Sequence, residues 1–345
     1  MVNIGIIGHG YWGPNLLRNF TATPDCRVLA VCDTDATRLL PLQSSHPGLV
    51  TTTNPQDLIT HPALHAIAIA TPVASHYSLA MQALTAGKHV FVEKPLAAST
   101  KQAETLVNKA RQTGLCVQVD HTFIYTGAVR KIKELITGDE LGPLYYYDSV
   151  RVNLGLFQSD VSVLWDLAVH DLSILDYILN EPPYAVSVTG QRHIDGSPEN
   201  IAFITLLYPG NFIAHLHVNW LAPVKLRRTL IGGSRKMIVY DDLEPSEKIK
   251  VYDKGITLNG HPVTKHRAMF DYRTGDMWAP RIDTTEALKL QTLKFINSIQ
   301  TGEPSPSDGE SGVRVVRILE AAERSLQERG RPVRMDRPFK ASVPV

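Results

Sequence analysis

The stretch Gly8-His9-Gly10-Tyr11-Trp12-Gly13 restricts the fold of this chain more than any other. It follows Val2 to Ile7, an apolar, β-rich run that reads as a buried parallel strand. It precedes Pro14 and a helical run from Asn15 to Phe20. A G-x-G-x-x-G loop set between a strand and a helix admits a dinucleotide. Gly8 permits the tight turn, Gly10 lets a pyrophosphate approach the backbone, and Gly13 lets helix and sheet pack closely. Pro14 is tolerated in a first helical turn, whose free N–H groups and dipole face the phosphates. A second strand, Arg27 to Cys32, ends at Asp33, 20 residues after Gly13. A carboxylate there accepts hydrogen bonds from the adenosine ribose and repels a 2′-phosphate. NAD is therefore expected in preference to NADP, although Arg38 keeps NADP open.

Strand and helix continue to alternate, which implies a parallel sheet covered on both faces. Ala66 to Ala70 is a buried strand ending at Thr71-Pro72, and His76 to Ala86 is a helix closed by Gly87. The next strand runs through His89-Val90-Phe91-Val92 into Glu93-Lys94-Pro95. Proline lacks the N–H for a ladder and keeps the residue before it extended. Lys94 thus sits at a strand's carboxyl end, the edge where open parallel sheets bind ligands. An isolated Lys-Pro is most often a solvated turn; the glycine loop and Asp33 make a crevice position the better reading. Thr71, Pro72, His76 and Glu93 share that edge and are expected on the nicotinamide side, with Tyr11 and Trp12 beside the cofactor. A helix from Thr100 to Thr113 and a strand from Cys116 to Val119 complete a Rossmann domain over residues 1–121.

Residues 122–345 read differently. Strands over Leu144 to Asn153, Ala185 to Arg192, Ile201 to Tyr208, Phe212 to Trp220, Leu226 to Ile231, Met237 to Tyr240 and Ile249 to Tyr252 are joined mostly by short turns such as Pro209-Gly210-Asn211. Sequential short-turned strands imply an antiparallel sheet. The second domain is therefore α+β, with a large, mostly antiparallel open sheet. Residues 256–283 read as irregular, and Thr285 to Gln300 and Gly309 to Gln327 as helices.

Within this domain Val163 to Leu179 reads as one helix. At ~100° per residue, Asp166, His170, Ser173 and Tyr177 form one polar stripe opposite Leu164, Ala168, Leu172, Leu175 and Leu179. Asp166 and His170 are four apart, so the carboxylate reaches the imidazole or its substrate. A histidine titrating near ~6.5 suits proton transfer around neutrality. A helix histidine is usually structural; beside a dinucleotide crevice and a strand-end lysine it reads as functional.

Composition limits the alternatives. A length of 345 residues suggests about two domains at ~150 residues each. A net charge of +1 favours neither a nucleic-acid nor a membrane surface. Cys26, Cys32 and Cys116 form no C-x-x-C pair, which argues against a zinc site or a disulfide framework; no metal is expected. The chain opens directly into a strand, and no apolar run approaches the ~18 residues of a span. A cytoplasmic protein is expected.

The glycine loop, Glu93-Lys94-Pro95 and Asp166-x-x-x-His170, in this order, resemble the glucose–fructose oxidoreductase, inositol dehydrogenase and rhizopine catabolism (Gfo/Idh/MocA) family over nearly the whole chain. The resemblance implies a Rossmann domain, a mainly antiparallel sheet domain, an active site between them, and often a cis peptide before Pro95. It places Lys94 and His170 at the reacting hydroxyl and implies a homodimer or homotetramer through the second-domain sheet; the aromatic strand Leu144-Tyr145-Tyr146-Tyr147 is a candidate partner surface. His170 would take the proton with Asp166 steadying it, or Lys94 would relay the proton while His170 positions the sugar. Many members carry an aromatic followed by an arginine after the sixth strand. Here Phe123 and Tyr125 are followed by Thr126-Gly127, with the next arginine at Arg130. The stretches His121 to Tyr125 and Arg151 to Gly155 resemble UDP-N-acetylglucosamine-type 3-dehydrogenases. That resemblance implies oxidation of a sugar C3 hydroxyl, giving a 3-keto sugar for later transamination. Tyr125, Arg151 and Asn153 then join Lys94, Asp166 and His170 as substrate candidates, and Arg151, Lys225, Arg227, Arg228 and Arg273 as partners for a diphosphate. A dehydrogenase of a free sugar or inositol, a non-catalytic NAD-binding sensor, and a glycosidase using NAD transiently are the alternatives.

Overall fold

The computed structural model describes residues 1–155, 161–179, 181–259 and 269–335. The chain forms two compact units: Met1–Thr126 with Thr284–Glu320, and Gly127–Asp283 with Ala321–Val345.

The first unit is a parallel sheet of β1 (Val2–Ile7), β2 (Cys26–Cys32), β3 (Val50–Thr52), β4 (Ala66–Ile69), β5 (His89–Val92) and β6 (Val117–Val119). Its order is β3-β2-β1-β4-β5-β6. Every ladder is parallel, so the loops after β1, β2, β4, β5 and β6 all leave from one edge. β4 is buried throughout, as an all-apolar strand covered on both faces must be. Helix Gly13–Ala22 turns Leu16, Leu17 and Phe20 onto the sheet. Gly114, at φ +68°, ends helix Thr100–Thr113 in the left-handed conformation a glycine accepts.

The sequence reading divided the chain at 121/122 and assigned all later residues to the second domain. Contacts move the first division to 126/127 and return residues 284–320 to the first unit. Helix Ala287–Thr301 explains the return. Its Phe295 meets Phe20 and Phe91 edge to face, with ring centroids 6.1 and 5.5 Å apart. Its Gln291 side chain donates to the Val119 carbonyl at 2.8 Å, and Gln118 donates back to the Gln291 carbonyl at 3.1 Å. Thr23 and Thr292 pair at 2.8 Å, and Arg18 forks onto Glu286. Apolar area and the reciprocal amide-to-backbone bonds of Gln118 and Gln291 together hold this late helix on the early sheet.

The second unit is a nine-stranded sheet. Its strands are β7 (Leu144–Leu154), β8 (Ala185–Gln191), β9 (Ile201–Leu207), β10 (Ile213–Asn219), β11 (Leu221–Gly233), β12 (Met237–Asp241), β13 (Ile249–Asn259), β14 (Met269–Trp278) and β15 (Val333–Arg334). The order is β14-β13-β12-β11-β7-β10-β9-β8-β15. All neighbours are antiparallel except β7 and β10, which run parallel. Residues 269–278, read as irregular from sequence, are a strand paired with β13. Tyr147, Ser149 and Arg151 alternate along β7 and are buried on one face. Along β10, Ala214, Leu216 and Val218 are buried, while Ile213 lies exposed on the other side. Tyr145 and Tyr147 share one strand face and Tyr146 lies on the other; Tyr145 is exposed, Tyr146 half-buried and Tyr147 buried, so the tyrosine run does not present one exposed surface. Among the described residues no helix is long and apolar enough to cross a membrane.

Candidate functional site

The glycine loop has room for backbone only. Gly8 sits at φ +101°, and a Cβ there would lie 2.4 Å from the Ala70 carbonyl oxygen. A Cβ on Gly13 would lie 2.2 Å from the Gly8 oxygen. Gly10 differs: a Cβ there would meet only Arg38 Nη1, at 3.2 Å. The helix that follows starts at Gly13 with no side chain capping its first turn. Asp33 is buried, and its carboxylate accepts from the His9 N–H at 2.7 Å and the Asp35 N–H at 2.8 Å. These features fit a pyrophosphate on the open side of the loop and a ribose at Asp33. Arg38 lies 3.6 Å from Asp33 and 3.3 Å from Asp35. Two carboxylates thus already engage the cation that left NADP open. Tyr11 is exposed and stacks against Trp12 at 6.5 Å.

At the same sheet edge β5 ends, the Glu93 N–H donates to the Ile69 carbonyl, and Lys94-Pro95 is cis. His76 was expected against the cofactor. It is instead buried, with Nδ1 2.8 Å from the Pro95 carbonyl and Nε2 2.8 Å from the Thr71 carbonyl. Burial pushes its pKa down, and a neutral ring donates to one carbonyl at a time. His76 braces the loops after β4 and β5 and leaves Thr71, Pro72 and Glu93 at the edge. Thr71 pairs with Ser75 at 2.7 Å.

Two residues that were not among the expected site residues stand beside them. Asp120 follows β6 directly and is 1% exposed. It accepts from Trp12 Nε1 at 2.6 Å and Thr122 Oγ1 at 2.5 Å. Burial pushes its pKa up to about 6, against those bonds and the Lys94 charge. His121 is equally buried, and neither ring nitrogen has a hydrogen-bond partner. Burial, with Lys94 and Arg314 adding, pushes its pKa down to about 3. The available signal was position: both follow a strand's carboxyl end, as Lys94 does. Tyr125, expected at the substrate, is 4% exposed and bonds Ser307 at 2.9 Å; it belongs to the packing.

In the second unit the predicted helix is two pieces, a π-helical turn at Leu164–Ala168 and an α-helix at Val169–Ile178. The wider turn departs from ~100° per residue, yet Asp166, His170 and Tyr177 are half-exposed while Leu164, Ala168, Leu172 and Leu175 are buried. Asp166 accepts from Trp220 Nε1 at 3.1 Å. Asp166 and His170 are both partly exposed. Ser173, expected beside them, is buried and donates to the His170 carbonyl at 2.7 Å. Tyr177 lies under the Lys133 ammonium, 4.2 Å from its centroid.

Arg151 is occupied elsewhere than its expected role as a diphosphate partner. Its Nε donates to Asp171 Oδ2 at 2.5 Å, and Ser149 donates to Asp171 Oδ1 at 2.8 Å. Arg151 is 5% exposed and Asp171 1%. This buried pair ties β7 to the helical residue after His170. Asn153 shares the strand face but is only partly buried. Of the other candidate cations, Arg227 pairs with Asp242 and Arg273 with Asp253, while Lys225 and Arg228 are exposed. Among the described residues no group of His, Cys, Asp or Glu is arranged to hold a metal ion.

Residues 2–121 match the family model described as the Gfo/Idh/MocA oxidoreductase family, NAD-binding Rossmann fold. Residues 133–335 match the C-terminal alpha/beta domain of the same family. The chain is 21% identical to the myo-inositol 2-dehydrogenase of Thermotoga maritima over 95% of this chain and 97% of that one. It is 24% identical to the UDP-N-acetylglucosamine 3-dehydrogenase of Acidithiobacillus ferrooxidans over 73% of this chain and 75% of the relative. The crystal structure of a putative oxidoreductase from Magnetospirillum magnetotacticum superposes with a TM-score of 0.78 at 27% identity, covering 93% of this chain and 99% of that one.

Proposed function

Because the chain belongs to the Gfo/Idh/MocA oxidoreductase family and has its NAD-binding domain, we propose that it oxidises a sugar hydroxyl, most specifically C3 of the hexose in a UDP-N-acetylglucosamine-type nucleotide sugar. The product is a 3-keto sugar suited to transamination. The observation that carries the reading is Lys94. It follows β5 at the same sheet edge as the glycine loop and Asp33, with His76 bracing the peptide that positions it. An ammonium at this edge donates to an alcohol oxygen and stabilises negative charge developing there.

NAD, when bound, supplies the hydride acceptor. The rest is assigned to side chains of this chain. Lys94 holds the reacting oxygen. His170 takes the hydroxyl proton, and Asp166, oriented by Trp220, steadies the imidazolium. In the second version Lys94 relays the proton and His170 orients the sugar. Gly8, Gly10, Tyr11, Trp12, Gly13, Asp33, Thr71, Pro72, Glu93 and Lys94 form the cofactor side. Asn153 is kept as a substrate contact; Lys225 and Arg228 replace Arg151 as the cations for a diphosphate, because both are exposed.

The nucleotide-sugar choice is supported by the relative that acts on UDP-N-acetylglucosamine. The inositol dehydrogenase relative supports a free cyclitol as the second reading. Purified protein with NAD is assayed for NADH absorbance against UDP-N-acetylglucosamine and a panel of free polyols. Lys94→Ala and His170→Ala should each abolish turnover. Turnover of inositol alone selects the second reading, and NAD binding without turnover of any sugar refutes both. We assign the second-unit sheet to a homodimer or homotetramer contact in a cytoplasmic enzyme. Exposed Phe203 stacks on His217 at 4.5 Å, and exposed Ile213 lies four residues along β10 on the same face, which a second copy would cover. Sedimentation measures the subunit count.

A further inference from the structure

Asp120 costs the folded protein stability and yet lies where the cofactor loop meets the lysine strand. A carboxylate 1% exposed is poorly solvated, and burial leads the causes that raise its pKa to about 6. A neutral amide would fill the same space without that penalty. The groups facing it come from four segments. Trp12 reaches it from the glycine loop across 108 positions of sequence, at 2.6 Å. Thr122 bonds the other oxygen from the 3-10 turn after β6, and Tyr125 on that turn feels its charge. Gln291 on helix Ala287–Thr301 and Lys94 at the end of β5 both favour its charged form. The adjacent His121 is held neutral, with Arg314 and Lys94 as its cationic neighbours. Among the described residues Lys94 is the cation whose charge acts on Asp120.

Trp12 is the residue at which helix Gly13–Ala22 starts, and its carbonyl accepts from Asn15 and Leu16. Fixing its indole fixes where the helix begins, and hence where the loop's N–H groups point. We propose that Asp120 is a positioning residue for the dinucleotide crevice: one carboxylate anchors the glycine loop through the Trp12 indole and sets a negative charge toward Lys94. The loop half of this proposal needs only NAD binding; the Lys94 half rests on the dehydrogenase reading above.

The test separates tether from charge. In Asp120→Asn the amide oxygen still accepts from Trp12, the amide nitrogen faces the rotatable Thr122 hydroxyl, and the charge is gone. Asp120→Ala removes both, and Trp12→Phe removes the tether alone. NAD affinity is measured by calorimetry from pH 5 to 8, with melting temperature recorded without NAD. Wild-type affinity should weaken as pH falls through about 6, as the carboxylate protonates. Asp120→Asn should lose that pH dependence while melting at or above the wild-type temperature at pH 7.5. Trp12→Phe should weaken NAD roughly tenfold or more, the scale of one charge-assisted hydrogen bond. Combined with Asp120→Ala it should add little, as two ends of one bond do. If Asp120→Ala does not fold, the near-isosteric Asp120→Leu, which also lacks an acceptor for the indole, replaces it in the cycle.

A lowered melting temperature with unchanged NAD affinity and pH profile would overturn the proposal, leaving Asp120 as packing. So would additive effects of the Trp12 and Asp120 substitutions. If NAD binding and its pH dependence behave as expected but no sugar turns over, the dehydrogenase reading fails and the loop tether stands.

Discussion

The buried pair beneath the His170 helix gives the firmest quantitative expectation. Asp171→Ala removes the carboxylate that neutralises Arg151, whose guanidinium is 5% exposed and 2.5 Å from it. Breaking a buried pair from one side costs about 3–5 kcal/mol, because a charge stays out of water without its counter-ion. Ser149 loses its acceptor at the same time. For a unit of this size the loss corresponds to a fall of roughly 6–20 °C in melting temperature. Replacing both partners, as in Arg151→Met with Asp171→Leu, leaves no buried charge and should recover most of the loss. Thermal unfolding followed by circular dichroism reads the single and double variants as a cycle. Turnover in the same preparations reports whether the His170 helix has shifted. A cost below about 1 kcal/mol for Asp171→Ala would refute the reasoning, because it would mean that the guanidinium finds water or another anion. A double variant as unstable as the single one would also refute it, by pointing to packing as the cause.

Phe295→Ala opens a cavity against Phe20 and Phe91 and should cost about 3–5 kcal/mol in chemical denaturation, loosening helix Ala287–Thr301 as judged by proteolysis. Gly13→Ala puts a Cβ 2.2 Å from the Gly8 oxygen and should abolish NAD binding by calorimetry. Asp33→Ala should weaken NAD and narrow the preference over NADP, read as the ratio of kcat/KM for the two cofactors. Acid stability has two opposed contributions. His121 has a folded pKa well below its unfolded value, so the stability tied to its neutral form is present above about 6.5 and lost as pH falls toward about 3. Asp120 has a folded pKa raised to about 6, so its contribution is present below about 4 and lost as pH rises through about 6. Asp120→Asn should therefore steepen the acid loss between these limits, measured as melting temperature against pH.

What the sequence revealed was local. The glycine loop, Asp33 and the Lys94-Pro95 strand end are legible because each depends on a few neighbouring residues and on strand and helix periods. Of the polar stripe, Asp166, His170 and Tyr177 are half-exposed while Ser173 is buried, and periodicity carries no sign of the π-helical turn that precedes His170. Asp171 was overlooked because a buried acid on an apolar face looks like an error until Arg151 arrives from β7. Trp12 with Asp120, Gln118 with Gln291 and Tyr125 with Ser307 are joined by the fold across 108, 173 and 182 positions. The residue type alone does not say which long-range partner will satisfy it. Burial replaced the expected exposure at His76, Arg151 and Tyr125, whose polar atoms are taken by the Thr71 and Pro95 carbonyls, by Asp171 and by Ser307.

The late helix on the early sheet has a consequence for the nascent chain. A ribosome releases β1 to β6 long before Phe295 and Gln291 exist to cover them. Phe20, Phe91 and the Gln118 amide must wait, uncovered, for about half of the polypeptide to be made. A fragment ending near residue 126 would carry every dinucleotide-loop residue and still be sticky and prone to precipitate, whereas the full chain, which supplies Phe295 and Gln291, would not.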